Sequence, residues 1–200
     1  MSPPAKALSQ AEFVALMAMM FATIAFSTDA MLPGLPEIAA ELTPEAPNRA
    51  QLIVLSFMLG IGAGTLVVGP LSDTLGRKPV ILMGAGLYIF GSGLAWWSGS
   101  VELMVAARVI QGIGGASARV VGLAIVRDLY SGRTMARIVS FVFLVFALIP
   151  ALAPSVGALI IWLADWRAIF LSFILFALVS AGWLTLRQPE TLPPARRRPL

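Results

Sequence analysis

The chain has 200 residues, of which 58% are hydrophobic and only 12% charged, with 14 Lys and Arg against 10 Asp and Glu. A soluble domain carries about 25% charged residues, so water is not the main solvent and a separate soluble domain is excluded. Cys and His are both absent, which excludes disulfides, thiolate zinc sites, haem attachment and Cys or His nucleophiles and leaves proton chemistry to carboxylates.

A hydrocarbon core about 30 Å thick takes about 20 apolar helical residues to cross. Six such spans fit, giving an all-α integral membrane protein. After a short N-terminal segment (1–12), the first span runs from about Phe13 to Pro36. A cleaved signal peptide is the alternative for it. The length of the span, its weak basic region and the five spans that follow argue against that. Thr28-Asp29-Ala30-Met31-Leu32-Pro33 places an acid at membrane depth. A charge there costs roughly 2.5–3.5 kcal/mol on insertion scales and needs a partner or water, so Asp29 is a functional candidate.

The second span runs from about Gln51 to Leu71 and the third from about Val80 to Trp97. They are joined by Gly69-Pro70-Leu71-Ser72-Asp73-Thr74-Leu75-Gly76-Arg77-Lys78-Pro79. Gly76 permits a tight reversal and Pro79 suits a helix start. Asp73 sits at a helix C-terminus, where the dipole disfavours an anion, so it needs a cation or another helix's N-terminus.

The fourth span runs from about Glu102 to Val126. Arg108 lies at about the depth of Asp29, which points to an ion pair or a shared water cavity. Arg119, eleven residues on, falls on the face of Arg108, close to Gln111, Gly112 and Gly115. A cavity wall and a snorkelling Arg119 are the two readings of that stripe. Asp128 ends this span beside Arg127, with the same need for compensation as Asp73. Asp73, Arg77, Arg127 and Asp128 are therefore expected together as a breakable charge cluster, the alternative being an ordinary basic turn.

The fifth span runs from about Ile138 to Leu163, with Pro150 and Pro154 expected to bend it, and the sixth from about Ile169 to Leu186. Ser56-Phe57 before Gly69-Pro70 is echoed by Ser140-Phe141 before Ala153-Pro154 at equal spacing, a faint three-helix repeat. The tail over 187–200 is rich in Pro and Arg. It reads as a linker, a frayed end or a segment lying on anionic lipid.

Lys6, Arg77, Lys78, Arg127, Arg133, Arg137, Arg187, Arg196, Arg197 and Arg198 fall on one side of this topology, and only Arg49 and Arg167 on the other. The positive-inside rule makes the first side cytoplasmic and carries both termini there, in a cell's inner membrane. Basic residues placed in loops beside apolar spans are a topology signal, not a nucleic-acid face. No nucleophile–base set or phosphate loop stands out, and Gly112-Ile113-Gly114-Gly115 lies inside a span with no preceding strand, so neither an enzyme nor a cofactor is expected.

Gly69 to Pro79 resembles the loop signature G-x-L-x-D-x-x-G-R-K-P of the major facilitator superfamily. The stretch around Asp29 resembles the first-helix motif of its drug:proton antiporters, and Arg108-Val109-Ile110-Gln111-Gly112 the fourth-helix motif. Ala124 to Tyr130 and Trp166 to Phe170 look like the Bcr/CflA drug-resistance group. The resemblance implies one half of a two-half fold, built from two three-helix inverted repeats. It implies export of amphipathic drugs or small metabolites against protons, with Asp29 as proton site, Arg108 its neighbour, and the Asp73, Arg77, Arg127 and Asp128 set as a latch. In the fifth helix Pro154 and Gly157 match the antiporter motif, while Ala153 replaces a glycine and both outer glycines are missing.

A single half lacks an opposing wall. The chain is therefore expected to be a fragment, a truncated frame or a homodimerising half, and to expose a face that includes Asp29, Arg108 and Gln111. A non-transporting relic or partner subunit is the rival reading, and a membrane-embedded enzyme a weaker one.

Overall fold

The structure is a computed structural model and describes residues 8–197. Lys6 and Arg198 lie outside the described residues. Among the described residues all regular structure is helical, and six segments are long and apolar enough to cross a membrane.

Helix α1 (Gln10–Asp29) is capped by Ser9, whose hydroxyl accepts from the Glu12 amide. The first span then breaks. Pro33 has no N–H to give the Asp29 carbonyl, and its ring would clash with that carbonyl in a continuous helix. The chain passes through a short 3-10 turn at Leu32–Gly34 and resumes as α2 (Leu35–Leu42). Gln10–Leu42 together still form one segment long and apolar enough to cross a membrane, within which Asp29 is the last residue of α1.

Helix α3 (Gln51–Leu75) and α4 (Arg77–Trp96) meet at one residue, Gly76, whose φ of 105° lies in the left-handed region. A side chain there would be strained, so the reversal depends on glycine. Helix α5 (Val101–Leu129) is capped by Ser100, and α6 (Gly132–Leu163) runs unbroken through Pro150 and Pro154. Helix α7 (Arg167–Arg187) closes the bundle.

Helix α5 is the packing centre. A Cβ on Gly112 would strike the Phe57 carbonyl and Gly60 of α3, and one on Gly114 would strike the backbone of α4 near Tyr88. Backbone contact of this kind is how small residues bring membrane helices together. Gly157 serves α6 in the same way. Its missing Cβ leaves room for the Ala30 carbonyl at the break after α1. By contrast α3 and α6 present large apolar side chains outward, among them Leu59, Leu66, Leu144 and Leu152, each at least 60% exposed.

Ion pairs tie both ends of the bundle. Glu12 of α1 accepts from Arg187 of α7 at 2.7 and 2.8 Å. At the opposite end Arg49 pairs with Glu102, and Arg167 with Glu41 while stacking over the Trp166 ring.

Candidate functional site

Two polar assemblies stand out, one inside the bundle and one at the end that carries Arg77.

Arg108 is the hub of the first and is fully buried. Its Nη2 donates to the Ser27 carbonyl at 3.1 Å and its Nε reaches the Ile53 carbonyl at 3.4 Å. Its Nη1 donates to Gln111 Oε1. The guanidinium lies 4.0 Å from the centre of the Phe57 ring, a cation–π contact. Gln111 Nε2 donates to Ser92 Oγ at 2.7 Å, and Ser92 Oγ to the Tyr88 carbonyl at 2.8 Å. The Tyr88 and Ser27 hydroxyls share a hydrogen bond, and Ser27 Oγ donates to the Thr23 carbonyl. Helices α1, α3, α4 and α5 are joined through one cation that has no carboxylate partner among the described residues.

This corrects two expectations. Arg108 makes no ion pair with Asp29; it uses backbone carbonyls and an amide instead. Arg108 and Gln111 are also not on the exposed face, since both are fully covered. Asp29 itself is half-buried and makes no side-chain hydrogen bond among the described residues. Arg119 is exposed and likewise without a hydrogen bond or ion pair among them. The α5 face shared with Arg108 is covered where Arg108 and Gln111 lie and open at Arg119.

Arg77 is the hub of the second assembly. Its Nη1 donates to Asp73 Oδ1 at 2.5 Å and to Ser72 Oγ at 2.8 Å, and its Nε to Asp128 Oδ2 at 3.0 Å. One guanidinium therefore serves both acids at helix C-termini. Arg127, beside Asp128 in the chain, makes no ion pair or hydrogen bond of its own among the described residues. Gly69 sits in α3 with only Val120 near it, 4.0 Å from an added Cβ.

The tail supplies what the sequence reading missed. Glu190 accepts from the backbone amides of Arg77 at 3.0 Å and Lys78 at 2.9 Å, capping α4 from another part of the chain. Thr191 Oγ1 donates to Asp128 Oδ2, and Lys78 Nζ to the Thr185 carbonyl. Burial pushes the Glu190 carboxyl up, but the amides of Leu192, Lys78, Arg77 and Thr191 outweigh it and hold the group below the usual glutamate range. The tail is thus held against the bundle at Glu190 and Thr191. Nothing in the sequence of this Pro-rich stretch singles out Glu190. Tyr88 and Ser92, four residues apart on one face of an apolar helix, were the signal for the buried network.

The sequence matches the family model described as Major Facilitator Superfamily over residues 15–199. It is 35% identical over 175 residues to a bicyclomycin resistance protein homolog of Haemophilus influenzae, covering 88% of this chain and 44% of the relative. It is 37% identical over 166 residues to a chloramphenicol resistance protein of Pseudomonas aeruginosa, covering 82% of this chain and 39% of the relative. The chain thus spans less than half the length of these relatives. Its fold superposes on a proton:xylose symporter of the same superfamily with a TM-score of 0.79 at 19% identity, over 90% of this chain and 44% of that one.

Proposed function

The chain belongs to the major facilitator superfamily, and from that premise we propose that it forms one six-helix half of a proton-coupled exporter of amphipathic drugs or small metabolites. The reading rests on the two resistance proteins it resembles along most of its length. Transport proteins of this family work by moving two halves about a site near the bilayer midplane. This half then acts with a second six-helix body, supplied by more of the same polypeptide, another chain or a second copy. Its basic end faces the cytoplasm of a cell whose inner membrane it spans.

In this mechanism Asp29 binds the exchanged proton. Of the other acids, Glu12, Glu41, Glu102, Asp73 and Asp128 are in ion pairs, Glu190 and Asp165 accept from amides, and Glu37 and Glu45 are exposed between α1 and α3. Asp29 has no such partner and stands two residues from Ser27, whose carbonyl holds Arg108. Drying the site favours the neutral carboxyl, while water or a cationic substrate favours the anion. That reciprocity couples proton to substrate. Arg108 holds α1 against α3 and α5 so that the α1 break keeps its place. The Arg77 cluster closes the cytoplasmic end and opens when the two acids part from it. Pro150, Pro154 and Gly157 let α6 move against the break: both prolines omit a helix hydrogen bond, and Gly157 meets Ala30 backbone to backbone.

The test is Asp29→Asn in an assembly that transports, reconstituted in proteoliposomes. Export of a cationic drug driven by an imposed pH gradient is expected to stop, while part of the drug binding survives. Normal export with normal pH dependence would remove Asp29 from the coupling step.

A further inference from the structure

Between α6 and α7, floored by α1, lies an apolar cleft of about 760 Å³. Its shape follows from a mismatch of side-chain size. Helix α1 lines it with Ala11, Ala15, Ala18 and Ala22, flanked by Val14 and Met19, and α6 with Phe141, Val145 and Ile149 at every fourth residue, one stripe of the helix. Alanines opposite large side chains leave a channel between the two backbones, and Phe176 of α7 closes its side. The cleft is not part of the Arg108 network. The contact of α1 with α6 on its other side is made by Phe21 and Phe143, 5.9 Å apart, and Phe143 points about 200° around α6 from Phe141.

The depth of the cleft is informative. On α1 it runs from Gln10 to Ala22 and on α6 from Arg137 to Ile149. Both helices start at the basic end, and each stretch is about 18 Å long at 1.5 Å per residue. One leaflet of a hydrocarbon core about 30 Å thick is about 15 Å deep. The cleft thus starts at headgroup level and ends near the bilayer midplane.

Its mouth is charged. Arg137 lines the opening, lies 5.7 Å from the Phe141 ring and has no ion pair among the described residues. Arg133 stands one turn earlier, equally unpaired among them, and like charges at this spacing repel unless an anion lies between them. Both lie near the N-terminus of α6, where the helix dipole also favours an anion. A guanidinium matches a phosphate with two parallel hydrogen bonds.

We propose that this cleft binds one anionic phospholipid of the leaflet on the basic side, with an acyl chain between α1 and α6 and its phosphate on Arg137. Such a lipid fills a gap that α6 and α7 leave open, and it holds α6 to the bundle along the half of its length where α1 offers mostly alanines.

The test is titration of palmitoyl-oleoyl phosphatidylglycerol, and of the phosphatidylcholine with the same chains, into the full chain in detergent, in whatever assembly it forms. Native mass spectrometry reads the bound lipid. One phosphatidylglycerol per chain is expected, bound about tenfold or more tightly than phosphatidylcholine. Arg137→Gln is expected to erase that preference, Arg127→Gln to leave it within about twofold, and Ala15→Phe to reduce both lipids by filling the cleft. Equal binding of the two lipids by the unaltered chain would overturn the proposal without any variant. So would a preference that persists in Arg137→Gln, complete competition by inorganic phosphate, which would mark a small-anion site, or a disulfide between two copies of Val145→Cys, which would mark the cleft as an interface between copies.

Discussion

Arg108 and Glu190 show two ways of placing a charge in this molecule. Arg108 is covered, has no carboxylate partner among the described residues, and is held by carbonyls, an amide oxygen and a ring. Lysine would not replace it, because one ammonium cannot reach Ser27, Ile53 and Gln111 in the plane that the guanidinium fork spans. Glu190 is held by amides, and its depressed pKa fixes the sign of its pH dependence. The cap contributes stability above the unfolded glutamate value of about 4.3 and loses it as pH falls through the lower folded value. Protection of the Arg77 and Lys78 amides from hydrogen exchange is therefore expected to hold from pH 8 down to 5.5. Glu190→Ala is expected to reduce it by roughly fivefold, the equivalent of a lost cap of about 1 kcal/mol. Unchanged protection in the variant would show that the tail contact is incidental. The sequence singled out Arg108 and Asp73 because a charge in an apolar span and an acid at a helix C-terminus are local contradictions that can be seen without coordinates. It did not reveal that Arg108 turns to carbonyls and away from Asp29, because backbone acceptors carry no sequence signal. Glu190 was invisible for the opposite reason: in a Pro-rich tail it contradicts nothing, and its partners lie more than a hundred residues away.

The helices themselves were legible from hydropathy, because each must satisfy its backbone internally. Their ends were less so. The break after Asp29 follows from Pro33, yet a mean over apolar residues runs straight across it. What sequence could not rank was which glycines matter. Gly112 and Gly62 look alike in an apolar span, but a Cβ on Gly112 meets the α3 backbone, while nothing lies within 4 Å of one on Gly62. Gly112→Ala is expected to destabilise the bundle by about 1–3 kcal/mol, the usual cost of overpacking, and Gly62→Ala to change it by no more than about 0.5 kcal/mol. Thermal unfolding of the two variants in one detergent separates them. Equal melting points would mean that the α3–α5 approach is softer than its geometry implies.

At the scale of the whole molecule, the expected orientation rests on an imbalance of charge between the two ends. The basic end holds Arg77, Lys78, Arg127, Arg133, Arg137 and Arg187, and the other end only Arg49 and Arg167, both already paired with acids. The chain has no Cys, so single cysteines report cleanly. Glu45→Cys is expected to react with an impermeant thiol reagent added outside intact cells, and Arg133→Cys only after the membrane is opened. The reverse pattern would invert the topology. The faces of α3 and α6 that carry exposed leucines are the surfaces available to a second six-helix body and to lipid. Their composition alone does not divide the two, which is why the six-helix architecture was plain in the sequence and its assembly was not.

The contact between Glu12 and Arg187 makes the first and last helices neighbours at one end of the bundle, so the path of the backbone is close to a ring. Where such a ring is cut is a matter of synthesis rather than of packing. A circular permutant that joins Arg197 to Leu8 through a flexible linker and opens at Ser131–Gly132 keeps every helix together with the Ser9 and Glu190 caps. A Cβ on Gly132 would meet nothing within 4 Å, so the new ends emerge in open space. That cut also leaves Arg133 and Arg137 near the new N-terminus, as the flank that orients the first inserted helix. The permuted chain is expected to insert and to melt close to the parent, and a large loss of melting temperature would show that the order in which the helices enter the membrane shapes the bundle.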